Sequence, residues 1–478
     1  MSDGWETVIG LEVHTELRTV TKLFCGCPNV FGDEPNTNVC PVCLGLPGSL
    51  PVLNRQAVEL AMRVGAALQC RIQPSLFHRK NYFYPDMPKA YQISQYDVPL
   101  NVAGQLELAN GAHVGVERAH LEEDTGKSTH VGGGGRIHGA DRSLVDYNRA
   151  GVPLVEIVSA PDLRSSEDAR SYVEELRAIL VAVGASDGKM EEGSLRVDAN
   201  VSVRPTGTEA FGTRCEVKNM NSLRSLGRAI DHEAARQVAL LEAGGTVVQE
   251  TRHWDESAGR TGSMRSKEEA YDYRYFPEPD LVPLAPSEGW IASVRAALPE
   301  LPAERRRKVA QAASSAPASD ATSDAVATVV RLGLDALVLA AVEAGVDGSL
   351  ALRRLANEVA SLPDAAASLD AGAFVKLLAM EDKGELTPAQ ARTVLRTLLD
   401  SGGDPGQIAS SLGFEALGAG ELTAVVERVI AEHPAEWERY LAGEEKLTGL
   451  FVGKIKAATG GKADLAAATA RLRERRSG

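Results

Sequence analysis

No apolar run in this 478-residue chain is long enough to cross a bilayer; a stretch such as Leu334 to Val346 is short and carries Asp335 and Glu343. Cysteine is scarce, and six in a chain of this length cannot make a disulfide framework, so reduced thiols are expected. The opening residues have Asp3, Trp5 and Glu6 where a secretory leader needs a basic region and an apolar run, which leads us to expect a cytoplasmic protein with no membrane attachment. Excess positive charge is missing as well. With 51 Lys and Arg against 65 Asp and Glu, the net charge of -14 excludes a surface coated for nonspecific nucleic-acid binding, although local basic patches remain possible.

The second part of the chain lacks the residue types that do chemistry. Eight of nine histidines, all six cysteines and nine of ten tyrosines precede residue 277. Length alone suggests two to four domains. In the first part, apolar and polar residues alternate and turn residues recur, which predicts a mainly antiparallel sheet, with helices at Ser166 to Val183 and Ser222 to Glu242. Tyr275-Phe-Pro-Glu-Pro-Asp-Leu-Val-Pro-Leu-Ala-Pro286 resists regular structure and places a boundary near 292. Short helices are expected from Trp290 to about Asp400, interrupted by a Ser/Ala/Asp-rich loop at 312–324. Ser401-Gly-Gly-Asp-Pro-Gly406 marks a second break. The fold class is therefore α+β, divided as 1–292, 293–402 and 403–478, and from Glu444 onward the tail has eight Lys or Arg against four acidic residues.

Three predicted strands each carry one charged face. In Val8 to Leu17, Ile9, Leu11 and Val13 alternate with Glu12, His14 and Glu16. In Ser194 to Arg204 the polar face holds Arg196, Asp198 and Asn200, and in Thr213 to Asn219 it holds Arg214, Glu216 and Lys218. Any one of these faces could simply meet water. Together, carboxylates, one imidazole and several cations suit Mg²⁺ or Mn²⁺ bridging phosphate oxygens. Val116 to Ser128 adds the acidic run Glu122 to Asp124 before Gly126-Lys-Ser128. A Walker A reading fails because Leu121 stands where that motif needs glycine, and Gly132 to Gly135 reads as a loop.

Cys25-Gly-Cys27 and Cys40-Pro-Val-Cys43 have the spacing of a closed four-thiolate Zn²⁺ site, the alternatives being free thiols or a redox pair. Cys70 and Cys215 read as core residues. In Arg79 to Gln95, Tyr82, Tyr84 and Tyr91 could stack on unpaired bases while Lys80 and Lys89 meet phosphates; packing aromatics would give the same pattern.

Gly10-Leu-Glu-Val-His14, Arg79-Lys-Asn-Tyr-Phe-Tyr-Pro-Asp86, Glu122-Glu-Asp-Thr-Gly-Lys-Ser-Thr-His130, Met190-Glu-Glu-Gly-Ser-Leu-Arg-Val-Asp-Ala-Asn200, Asp272-Tyr-Arg-Tyr-Phe-Pro-Glu-Pro-Asp280 and Lys446-Leu-Thr-Gly-Leu-Phe-Val-Gly-Lys-Ile-Lys456 carry a resemblance. The chain resembles the B subunit of the bacterial tRNA-dependent amidotransferase. That resemblance implies a catalytic cradle related to the glutamine synthetase fold, a helical domain and a tRNA-binding tail. It implies ATP- and Mg²⁺-dependent phosphorylation of the side-chain carboxylate of Glu-tRNA(Gln) or Asp-tRNA(Asn), then displacement of phosphate by ammonia.

Carried over by position, the resemblance makes His14, Glu123 and Glu216 the Mg²⁺ ligands, with Glu12 and Asp198 beside them and Lys80, Arg196 and Lys218 at phosphate. It makes Cys25, Cys27, Cys40 and Cys43 a structural zinc site, and the tail residues Lys454, Lys456 and Lys462 contacts to the tRNA body. No Gly/Ser-rich amidase nucleophile signature occurs, so the amidase, or A, component is expected to release ammonia and a small C component to complete a heterotrimer. A noncatalytic RNA-binding role and a free-standing carboxylate-amine ligase are the rival readings. The first leaves the Glu12 and His14 face unexplained, the second the basic tail.

Overall fold

Leu11, Val13 and Thr15 are buried while Glu12, His14 and Glu16 are half-exposed, so β1 (Trp5–Glu16) turns one apolar edge to a core and one ionisable edge away from it. The computed structural model describes residues 4–81, 83–132, 139–266, 273–313, 320–362, 368–414, 419–459, 463 and 465–477. Around β1 are β2 (Arg71–Ile72), β3 (His78–Asn81), β4 (Tyr91–Ser94), β5 (Asn101–Glu107) and β6 (His113–Glu123). A separate hairpin, β7 (Lys127–Gly132) with β8 (Ala140–Asp146), starts inside the Gly-Lys-Ser sequence, so Lys127 and Ser128 are strand rather than phosphate loop. The remaining strands are β9 (Pro153–Ser159), β10 (Leu195–Pro205), β11 (Cys215–Met220), β12 (Glu250–Asp255), β13 (Arg260–Ser266) and β14 (Phe276–Pro277).

The described strands of the large sheet run β13-β12-β11-β10-β1-β9-β6-β4-β3-β14, with β5 and β2 branching from β6. Pairing is antiparallel except between β11 and β12. The three charged strands of the sequence are therefore neighbours. Three helices cover one face: α1 (Arg55–Ala67), α2 (Ser166–Ala182) and α3 (Leu223–Glu242). Their starts follow capping rules, since the side chains of Asn54, Ser165 and Ser222 accept the first free backbone N–H groups. Ile9, Leu11, Val13, Val155, Ile157, Val197, Val201 and Val217 share this core. Each such side chain contributes about 1.5–3 kcal/mol by leaving water. Slipping β1 by one residue would bury Glu12 and His14 instead, which locks the register.

The chain divides into two units at Ala303. The boundary read near 292 falls inside α4 (Glu288–Ala296), which belongs to the first unit: Val294 is in its core and the Arg55 guanidinium lies 4.2 Å from the Trp290 ring centroid. In the second unit, the described elements are helical. Its buried residues form one cluster from Val309 to Ala409 and another from Leu422 to Leu472, so the break at 401–406 is a turn within the first of these clusters. Of the segment 312–324 expected to be a loop, 314–319 lie outside the described residues, and Asp320–Arg331 is helix because Val326, Val329 and Val330 repeat on its buried side. No single described helix is long and apolar enough to cross a membrane.

Candidate active site

Register brings three strands' ionisable groups into one row. His14 on β1 pairs with Glu156 on β9, which pairs with His120 on β6. His14 Nε2 is 3.4 Å from Glu122 Oε1 and 3.9 Å from Glu156 Oε2, and His120 Nε2 is 3.2 Å from the same Glu156 oxygen. One ligand atom each from His14, Glu122 and Glu156 lies within 4.8 Å of the others. This fits a small cation, because cis ligands about 2.1 Å from Mg²⁺ are separated by roughly 3 Å and trans ligands by roughly 4.2 Å. Burial, and then the charge of Glu156, push the Glu122 carboxyl above its ordinary range. Burial acts upward on Glu156 too, but the neighbouring His120 and His14 outweigh it and hold that carboxyl well below the usual range. Two carboxylates crowd a space that a divalent ion would neutralise.

Glu123, expected beside His14, lies on the other side of β6. Successive strand residues alternate, so Glu123 shares its face with core residues Ala119 and Leu121 while Glu122 shares His120's. Its carboxylate pairs with Lys89 and accepts the Ile93 N–H at 2.8 Å. Glu216 is likewise absent from the His14 cluster. It joins Glu12 and Asp198 in a second group to one side.

That second group surrounds Lys218, whose Nζ lies 2.6 Å from Asp198 and 3.3 Å from Glu216. A register shift between β10 and β11 places Lys218 there: Val197 pairs with Met220 but Ala199 with Val217, and Asn219 takes up the extra residue at φ 71°. Burial works against the Lys218 charge, yet Asp198 and Glu216 outweigh it and hold the ammonium above its usual range. Asn200 donates to Glu12 at 2.9 Å and Thr251 to Glu216 at 2.9 Å. A cavity of about 220 Å³ opens beside Glu12 and Asn200, lined by Gly10, Val158, Pro161, Phe211 and Arg214.

On the far side of His14, Arg196 is held 2.5 Å from Asp124, which Arg149 approaches to 3.5 Å. Glu16, two residues along the same face of β1, is pushed up to about 7 by burial and then by Asp124. Lys80, on β3, has its Nζ 4.7 Å from the Tyr273 ring centroid, and its charge acts on Glu122.

The four cysteines, distant by up to eighteen positions in sequence, converge so that their Sγ atoms all lie within 4.8 Å of one another. Cys40 and Cys43 are 3.9 Å apart, close to the roughly 3.8 Å edge of a Zn–S tetrahedron with 2.3 Å bonds. The four thiols hold their protons unequally. The hydrogen bond from Cys25, helped by the charge of Lys22, holds the Cys43 thiol down to about 5, and that same bond raises Cys25. Cys70 and Cys215 are buried, as expected of core residues.

Tyr91 is not open for stacking: the Arg79 guanidinium, itself paired with Glu278 at 2.7 Å, lies 4.2 Å from its ring centroid. Tyr84 is 47% exposed and its neighbour Phe83 75%, so the accessible aromatic surface is there. Tyr82, Lys462 and most of the Gly132 to Gly135 loop lie outside the described residues. On the helix Leu447–Ala458, Lys456 is exposed and Lys454 half-buried, with Phe451 and Ile455 packed beneath. Glu156 and His120 do not stand out in the sequence motifs. Glu156 had a signal, as the lone charge in the apolar run Pro153 to Ser159.

The family description "GatB/GatE catalytic domain" matches residues 7–292, and "GatB domain" matches 345–475. A protein of Salinispora arenicola, named as the B subunit of an aspartyl/glutamyl-tRNA(Asn/Gln) amidotransferase, is 51% identical over 96% of this chain and 94% of its own length. Proteins with the same name from Carboxydothermus hydrogenoformans and Mycobacterium bovis are each 48% identical over 98% of this chain, covering 98% and 94% of their own lengths. With both regions matched and about half the residues shared end to end, the chain belongs to the family of B subunits of the aspartyl/glutamyl-tRNA(Asn/Gln) amidotransferases.

Proposed function

We propose that this chain activates the side-chain carboxylate of tRNA-borne Glu or Asp with ATP and then directs ammonia onto it. The His14, Glu122 and Glu156 cluster carries this reading: three groups that could hold a cation, on the sheet face opposite α1, α2 and α3, flanked by Lys218 and Arg196. In overall plan, that face would be the cradle of a glutamine synthetase-like fold. A carboxylate is a poor acceptor for ammonia. Attack of its oxygen on the γ-phosphorus of ATP breaks the bond to ADP and leaves an acyl phosphate, from which ammonia displaces inorganic phosphate.

His14, Glu122 and Glu156 would hold Mg²⁺, which when bound neutralises charge on the phosphate oxygens. Lys218, Arg196 and Lys80 border the same face and would orient the phosphates, while the cavity beside Glu12 would take the nucleoside. Glu16, its carboxyl pushed up to about 7, suits the removal of a proton from the attacking ammonia. The four cysteines would hold a structural zinc ion with no position left for chemistry. Lys454 and Lys456 would meet tRNA backbone, with Tyr84 and Phe83 near its acceptor end. The ammonia would come from the amidase, or A, component, in a cytoplasmic heterotrimer completed by a small C component.

A noncatalytic RNA-binding role would leave the three-ligand cluster and the Lys218 group without a purpose. With its partners, the chain is expected to convert ATP to ADP about tenfold or more faster when Glu-tRNA(Gln) or Asp-tRNA(Asn) replaces uncharged tRNA. Equal rates with charged and uncharged tRNA would remove the basis for the proposal. Comparing the two misacylated tRNAs side by side also identifies the preferred substrate.

A further inference from the structure

Lys22 is fully buried, which is rare for a lysine without an anionic partner. Its Nζ donates to the carbonyl oxygens of Asn38 at 2.8 Å and Tyr147 at 3.2 Å, and no carboxylate among the described residues forms an ion pair with it. Carbonyl dipoles solvate an ammonium but leave its charge uncancelled, and a buried unpaired charge is costly. The missing anion is close by. The backbone N–H of Lys22 donates to the Cys27 carbonyl at 3.0 Å, and Asn38 stands two residues before Cys40, so Lys22 is tied to both halves of the cysteine array.

Gly151, at φ +85°, marks how close the two lie: a Cβ there would make ordinary van der Waals contact with Lys22 Cδ at 3.6 Å, Cys43 Cβ at 3.7 Å and Glu123 Oε2 at 3.9 Å, and the Glu123 carboxylate is already paired with Lys89. Its carbonyl accepts the Leu23 N–H at 2.9 Å, which fixes the chain next to Lys22. Four thiolates around one divalent ion carry a double negative charge, itself costly to bury. Each buried charge lacks what the other supplies.

We infer that Lys22 is the internal counter-ion of the four-cysteine metal site, a positioning residue that holds both cysteine loops while its ammonium offsets the excess thiolate charge. The inference rests on the zinc reading above. Lys22→Met keeps most of the side chain's length and removes its charge. The purified full-length wild-type chain should carry one zinc ion, and the variant should release zinc to a chromophoric chelator about 10–100-fold faster at the same pH.

A purely structural role for the hydrogen bonds of Lys22 is separated by the sign of a second effect. In the chain carrying Cys25→Ser, Cys27→Ser, Cys40→Ser and Cys43→Ser, the ammonium loses the thiolate charge while the nearby Glu123 is already paired with Lys89, so adding Lys22→Met should raise the urea midpoint of unfolding. In the zinc-loaded chain the same substitution should lower it. A lower midpoint in the serine background, or equal zinc release by wild type and Lys22→Met, would overturn the counter-ion role alone. A wild-type chain that binds no zinc would overturn the zinc reading, and this inference with it.

Discussion

Glu156→Ala is expected to lower the rate of tRNA amidation about a thousandfold or more, while glutamine hydrolysis by the amidase partner remains measurable. Glu156 is the residue His14 and His120 share, at 3.9 and 3.2 Å. Removing it would take away one of the three groups proposed to hold the cation and leave two imidazoles facing each other across the gap. A loss of about 4 kcal/mol of transition-state stabilisation corresponds to that thousandfold. His14→Ala and Glu216→Ala should act in the same direction, the first through the cation cluster and the second by freeing Lys218 from one of its two carboxylates. Steady-state amidation assays, run beside a glutaminase assay on the same samples, read the effect. Zinc content and far-UV spectrum should match wild type. Amidation at the wild-type rate by Glu156→Ala would show that the cluster holds no catalytic ion.

The second large effect concerns stability. Cys40→Ser should lose the zinc ion and destabilise the first unit by about 3 kcal/mol or more, read as a lower urea midpoint together with metal analysis. The segment from Arg18 to Leu53 contains almost no regular structure, and few of its apolar side chains are buried: Leu23, Phe24 and Cys43 are, whereas Val20, Val30, Phe31, Leu46, Leu50 and Val52 are exposed. With so little apolar burial, a metal joining residues 25–27 to 40–43 becomes the main cross-link. The damage should spread to β6, because Gly45 packs directly on Lys89, which pairs with Glu123. Unchanged metal content and midpoint would dismiss the zinc assignment.

Local periodicity made much of the frame legible. Period-two alternation marked β1, β10 and β11, and these proved to be neighbours. The stretches at 166–183 and 222–242 became α2 and α3 nearly to the residue. His14 was legible for the same reason, as a polar position on an otherwise clear strand. The choice between Glu122 and Glu123 depended on which face of β6 continues the His14 face of the sheet, and Ala119 and Leu121 were the available clue, since period two carries their core face on to Glu123. Glu156 stood out in its own segment only as the lone charge of an apolar run; its place beside His14 and His120 required cross-strand register, which couples residues 14, 120 and 156. Stacking by Tyr91 could not be ruled out locally, because its cover, Arg79, is oriented by Glu278 nearly two hundred residues away. At 312–324 the bias toward Ser, Ala and Asp masked the valine spacing that makes Asp320–Arg331 a helix.

The central claim is that the substrate carboxylate itself attacks ATP, and the fate of its oxygen tests this most directly. Misacylated tRNA bearing ¹⁸O in both side-chain carboxylate oxygens, supplied with unlabelled ATP, glutamine and the complete assembly, should release inorganic phosphate carrying one ¹⁸O for each amide formed. Mass analysis showing unlabelled phosphate, or label in AMP, would contradict the account.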